Sequence, residues 1–358
     1  MARERRLTSR LLFLLIPIAV IGIYEAIAKA KYGQGLFTNA MVYPWQGPVK
    51  AGKQLSGQFL TGLSFTGGCL FPALFYVAFL KSRKVLSGIA IFFAFLPLFY
   101  LWVARGLTSR TDVIAVTVEG ALFAIIGVGI LALAAADLIH QKTADSLLLS
   151  IWAFGTFFFA TMMNWSITSR TILPMAPAVV ILLIRQFKSS AAVAAAVSGG
   201  RGLPILPLRT AAATWWPLLP AALVSLLVTA ADYKLADTAR FASKSFQNRF
   251  RDEPGAVWFE GHWGFQYYME HWKAKPLDRS ERRIMSGDVL IVPLSNSNVS
   301  PTPPVPTTSP PEQVNYPQSM LATMSPGMRA GFYSSKWGSL PWIFSRIPPE
   351  QYLIFRVR

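Results

Sequence analysis

The stretch 113–137, VIAVTVEGALFAIIGVGILALAAAD, decides the fold. Before its terminal aspartate it holds one ionisable group, Glu119. A helix needs roughly 20 apolar residues to cross the hydrocarbon layer of a bilayer, and this stretch is long enough. Comparable apolar runs lie at about 11–29, 58–80, 85–104, 147–164, 171–184 and 211–231, which makes about seven spans. The run at 171–184 is short and opens beside Pro174 and Pro177, so it is expected to begin as irregular backbone. Gly67, Gly68 and Pro72 in one run and Pro97 in the next are tolerable where neighbouring helices satisfy the freed backbone groups.

Composition divides the chain in the same way. Of its 358 residues, 53% are hydrophobic and 14% charged, against about 25% charged in soluble domains. Only six of the 17 acids precede residue 232. An α-helical polytopic membrane domain over 1–231 and a small α/β domain over 232–358 follow from that shift. The net charge of +17 sits mostly beside apolar runs, and no basic stripe interleaves with aromatics. Membrane lipid is therefore the expected partner, and nucleic acid is not. The single cysteine, Cys69, permits no intrachain disulfide. No His or Cys spacing of a metal site is present, so no metal ligand is assigned and no cofactor is evident.

Cytoplasmic loops carry the excess of Lys and Arg. With the N-terminus inside, the inner segments hold twelve such residues and the outer loops seven. The N-terminus is thus read as cytoplasmic and the C-terminal domain as extracytoplasmic. The first run, between MARERRLTSR and AIA, also fits a cleaved signal peptide, which leaves that domain on the same side. Two acids fall within runs. Glu25 lies near a helix end and reaches the interface. Glu119 is the intramembrane polar candidate, expected to face a wet cavity or a partner helix.

In the C-terminal part, VWFEG (257–261) and SGDVLIVPL (286–294) read as strands, WGFQYYMEHW (263–272) as a helix and YLIFRVR (352–358) as another strand. The strand at 288–294 is expected at the sheet centre, because Val289, Leu290, Ile291 and Val292 leave no polar face. The Pro-rich stretch 300–311 is an extended surface loop. His262 reads as a helix-start residue, and Asn298-Val-Ser300 fits a glycosylation acceptor.

Four segments carry a resemblance: NWSITSRTILPMAPAVVILLI (164–184), GHWGFQYYME (261–270), GDVLIVP (287–293) and GFYSSKWGSLPW (331–342). Together they resemble the C-terminal portion of bacterial glycosyltransferases of the dolichyl-phosphate-mannose protein mannosyltransferase and aminoarabinose transferase superfamily. In that family an Arg-x-x-Leu-Pro-x-x-Pro pattern opens a late helix at the outer face, here Arg170, Leu173, Pro174 and Pro177. The resemblance implies a C-type glycosyltransferase fold in a bacterial inner (plasma) membrane. It implies transfer of a sugar from a polyprenyl-phosphate carrier to an extracytoplasmic acceptor of the cell envelope. Lipid phosphate would be met by Arg170, with Arg105 and Arg110 on the same side, and Arg170 is expected to line a polar cavity beneath the outer domain.

The chain departs from the family pattern in one respect. The family's catalytic acids lie in the first outer loop, and residues 30–57 here contain no Asp or Glu. Asp112 is the one acid in a short outer loop and the only simple stand-in for a general base. The chain therefore looks like the C-terminal half of such an enzyme: a truncated product, a sequence with a mis-called start, or one partner of a split enzyme whose second subunit supplies the N-terminal half. The alternative reading is a non-catalytic membrane scaffold or partner subunit with an extracytoplasmic binding domain.

Overall fold

A computed structural model describes residues 15–43, 55–79, 91, 93–101, 107, 109–197, 217–279, 284–296 and 299–358. The helices are α1 (Leu15–Tyr32), α2 (Leu36–Val42), α3 (Leu55–Cys69), α4 (Arg110–Gln141), α5 (Ala144–Phe158), α6 (Ala176–Val197), α7 (Leu218–Arg249) and α8 (Trp263–His271). The strands are β1 (Val257–Phe259), β2 (Lys275–Pro276), β3 (Val289–Pro293), β4 (Glu312–Tyr316), β5 (Leu321–Ala322), β6 (Met324–Ser325), β7 (Ala330–Gly331), β8 (Ile343–Phe344) and β9 (Glu350–Arg356). The chain is mostly helical, with a small sheet-containing C-terminal region. Among the described residues four helical segments are long and apolar enough to cross a membrane: Thr111–Gln141, Ala144–Met163, Ser169–Gln186 and Leu218–Arg249.

The remaining apolar runs take other forms. Helix α1 carries Glu25, Lys29 and Lys31 within its 18 residues. Helix α3 ends at Cys69, and the chain continues as a 3-10 helix over Phe71–Phe79. Pro72 brings no N–H to that turn, which prevents the α-ladder from running on through 58–80 as one helix. Of the run at 85–104 only 91 and 93–101 are described, as helix. Arg105 and Asn298 lie outside the described residues.

Helices α3 and α4 meet backbone to backbone. A Cβ on Gly67 would lie 1.8 Å from the Phe123 carbonyl oxygen, and one on Gly127 would lie 2.3 Å from that of Leu63. Small residues let helices approach this closely in a membrane, where packing rather than water exclusion drives association. At the far end of the bundle Arg185 joins three helices. It donates to Asp137 at 3.2 Å and to the Ser146 hydroxyl at 3.3 Å, and lies 3.6 Å from Asp145.

The C-terminal region caps the opposite end. Its main sheet has the order β2-β1-β3-β9-β4, parallel across β2, β1 and β3 and antiparallel on either side of β9. Strand β3 is central and wholly buried, as its unbroken apolar run requires. Val289 and Ile291 face a core shared with α7 and α8, through Ala242, Phe246, Phe265 and Met269. Leu290 and Val292 face the other side, against Trp258 and Phe355. Asp288 holds the β3 start in place by accepting from the Trp258 indole at 2.8 Å and from the Ala256 and Met285 amides at 2.8 and 2.9 Å. Burial alone would raise its pKa, but these donors hold it below the ordinary value. The loop 300–311 runs along the surface, mostly exposed.

Helix α7 does not stop at residue 231, where the apolar run ends. It continues through Asp232 to Arg249, because no Gly or Pro falls between 221 and 253 to break it. Its first half is apolar and its second half contributes Ala242 and Phe246 to the core beneath the sheet.

Candidate functional site

Two of the four resemblance segments meet directly at the junction of helices and sheet. The turn after α5 first widens into a π-helix over Phe159–Met163 and then leaves helical geometry at Asn164. From there 166–169 pairs with 332–335. The Ser169 amide donates to the Phe332 carbonyl at 2.9 Å, and the Ser335 amide to the Ile167 carbonyl at 2.8 Å. The Ile167 amide donates to the Ser335 hydroxyl at 3.0 Å, and the Ser166 and Ser334 hydroxyls lie 2.7 Å apart. Gly338 permits the second loop to fold back, since a Cβ there would lie 1.9 Å from the Arg329 carbonyl carbon.

Arg170 stands on a single α turn, Ser169–Ile172, that is tightly held. Thr168 caps it, and Thr171 bonds back to Thr168 in a capping box. Cys69 donates to the Ser169 hydroxyl at 3.2 Å. After that turn the backbone tightens to 3-10 over Leu173–Met175 before α6 begins, the irregular start expected at Pro174. The Pro174 carbonyl accepts from the Trp152 indole at 2.8 Å. Pro177, three residues on, has no N–H to offer it.

The Arg170 side chain is exposed, with its guanidinium 5.8 Å from the centre of the Tyr333 ring. It thus lies at the junction, against the C-terminal domain. Tyr333 donates to Asp232 on α7 at 2.6 Å, and Thr323 donates to the other carboxylate oxygen at 2.8 Å. Burial, and then the bond to Asp232 and its charge, push the Tyr333 phenol above its ordinary range, against the pull of Arg170. The phenol therefore remains a donor at neutral pH. On the same pair of loops the Lys336 ammonium lies 4.4 Å from the centre of the Trp165 ring.

Trp263 approaches Tyr333 from the start of α8, ring centres 6.1 Å apart and edge to face. Its backbone has φ 69°. A bulky residue in that left-handed region carries strain of about 1–3 kcal/mol, and such residues gather at functional sites. His262 is the N-cap residue of α8, as expected for a helix start.

The other expected residues lie elsewhere. Glu119 accepts from the Phe344 amide at 3.0 Å, which ties it to the C-terminal region. Asp112, half-exposed in the first turn of α4, makes no ion pair with Arg170 among the described residues. Arg110 opens the same helix. Among the described residues no three His, Cys, Asp or Glu side chains group to hold a metal ion. Two side chains of the junction, Asp232 and Tyr333, escaped the sequence reading. Asp232 is the first acid after Asp145, an interval that could have singled it out.

No protein-family model matches the chain, and no curated protein or solved structure matches it.

Proposed function

We propose that the protein binds the phosphate of a lipid-linked sugar at Arg170 and serves the transfer of that sugar from a polyprenyl-phosphate carrier to an extracytoplasmic acceptor. The observation that carries this reading is the position of Arg170. It is an exposed guanidinium on a capped, doubly anchored turn at the meeting of membrane helices and outer domain. A guanidinium offers five donors in a fixed fork that matches a phosphate, and a held turn keeps it aimed without reorganisation. Lys336 adds a second cation on the partner loop. The resemblance of the two paired loops to the glycosyltransferase superfamily supports the same chemistry. Seven spans, a cytoplasmic N-terminus and residence in a bacterial inner membrane belong to this proposal.

A second reading is a non-catalytic subunit that holds the lipid-linked sugar for another chain. The stretch over 30–57 favours it, because it holds no Asp or Glu to serve as a base. Transfer by the purified chain alone would exclude this second reading.

The test uses the full chain in lipid nanodiscs and a polyprenyl-phosphate sugar. Arg170→Ala is expected to weaken binding roughly 10-fold or more, from the loss of about 1.5–3 kcal/mol in a charge-assisted hydrogen bond. Arg170→Lys should recover part of it, because the charge returns without the fork. Unchanged binding by the alanine variant would remove Arg170 from the site.

A further inference from the structure

We propose that Trp263 is the platform on which a sugar ring stacks at the domain junction. The proposal rests on the reading above, in that the ring is the one whose phosphate Arg170 holds. Three observations converge on it. The indole is 60% exposed, with its covered part packed edge to face on Tyr333. Its backbone is in the left-handed region at φ 69°, although glycines at 261 and 264 lie close by in the same segment. A glycine would occupy this conformation without strain, so the side chain is what the position holds in place. The Tyr333 ring contacts both Trp263 and the Arg170 guanidinium.

The chemistry suits a saccharide. The C–H face of a pyranose lies flat on an aromatic ring and gains dispersion across the whole contact. Its hydroxyls need amide and carboxylate partners beside that ring. Helix α8 buries Phe265 and Met269 and turns outward Trp263, Tyr267 and Glu270, with Gln266 half-exposed among them. Gln266 donates to Glu270 at 2.7 Å and lies 3.3 Å from the His262 ring nitrogen, so these polar groups form a continuous row.

The experiment compares wild type, Trp263→Gly, Trp263→Phe and Arg170→Ala, each as full chain in nanodiscs. Three probes are titrated: polyprenyl-phosphate sugar, sugar-free polyprenyl phosphate, and the soluble sugar 1-phosphate. Trp263→Gly relieves the backbone strain but loses the edge-to-face contact with Tyr333, so it should melt close to wild type. It should bind the lipid-linked sugar roughly 5–10-fold more weakly while leaving sugar-free polyprenyl phosphate unchanged. Trp263→Phe should fall between the two, and Arg170→Ala should weaken both lipids. If Trp263→Gly binds the lipid-linked sugar as wild type does, Trp263 is no platform, and an Arg170→Ala defect would leave the phosphate reading standing. Equal loss of both lipids in Trp263→Gly would also overturn the proposal, because it assigns the indole to headgroup contact. Trp263-dependent binding of the soluble probe alone would support the platform and refute the lipid carrier. A wild type that binds none of the three would overturn both.

Discussion

Removing the Trp342 side chain should loosen the seat of the C-terminal domain on the helices beneath it. The loop 338–344 descends from the sheet region into the bundle, where Leu340, Trp342 and Ile343 join the core formed by α3 and α4. The Trp342 indole is 7% exposed, with its ring centre 4.6 Å from Phe123 and 5.4 Å from Phe71. Its N–H donates at 2.9 Å to the Gly68 carbonyl, at the place where α3 gives way to 3-10 geometry. Truncating a buried Trp to Ala costs about 3–5 kcal/mol through lost transfer energy and the cavity left behind. Leaving the Gly68 carbonyl without its donor adds about 1–3 kcal/mol. A domain of 150–250 residues loses about 2–4 °C per kcal/mol, so Trp342→Ala should melt about 8 °C or more below wild type. Trp342→Phe keeps most of the ring and loses the donor, so it should fall nearer the wild type. Thermal unfolding in detergent or nanodiscs, followed by limited proteolysis of the outer domain, measures both. If Trp342→Ala melts with the wild type and its outer domain resists protease equally, the loop is not the anchor described here.

Two further variants test other parts of the structure. Glu350 is buried at the start of β9, where burial raises its carboxyl from the ordinary 4.5 to about 7 against the donors of Ser295 and Gln318. A raised folded pKa means stability that is whole below pH 4.5 and lost as pH rises through 7, by about 3 kcal/mol in full. Glu350→Gln should therefore raise the melting temperature at pH 8, leave it nearly unchanged at pH 4.5, and flatten the profile between. Gly67→Ala would drive a Cβ into the Phe123 carbonyl and should cost about 1–3 kcal/mol by forcing α3 and α4 apart. Gly129→Ala meets nothing within 4 Å and should stabilise by about 0.5–1 kcal/mol, which makes it the comparison of opposite sign in the same unfolding measurement.

Much of the outer sheet is legible in sequence because its signals are local. Val289–Val292 has no polar face and lies at the centre, and WGFQYYMEH has helical spacing and forms α8. Pro174 and Pro177 mark the irregular start of α6 for the same local reason. The site is less legible, since its geometry comes from segments far apart in the chain. Arg170 can be named from its motif, but its neighbour Tyr333 lies 163 residues on, and the acid that fixes Tyr333 sits midway along α7. An apolar-to-charged transition at 231 reads as the end of a helix, whereas hydrogen bonding along the backbone continues unbroken. The conformation of Trp263 has no sequence signal, because left-handed backbone is looked for at glycine and asparagine.

The continuity of α7 bears on how the protein meets bilayers of different thickness. Its 32 residues make a rod of about 48 Å at 1.5 Å per residue, longer than the hydrocarbon layer. A helix alone answers a thinner bilayer by tilting, and a tilt of 10° about Asp232 would swing the Arg249 end by about 4 Å. That swing is blocked here. Asp232 is bonded to Tyr333 and Thr323, Arg249 is paired with Glu312 in β4, and Trp342 is seated between α3 and α4. Rod, sheet and bundle must lean together or not at all, so the lipid, not the hinge of a domain, absorbs the mismatch. The distance from Arg170 to Trp263 is then the same in a thin membrane as in a thick one.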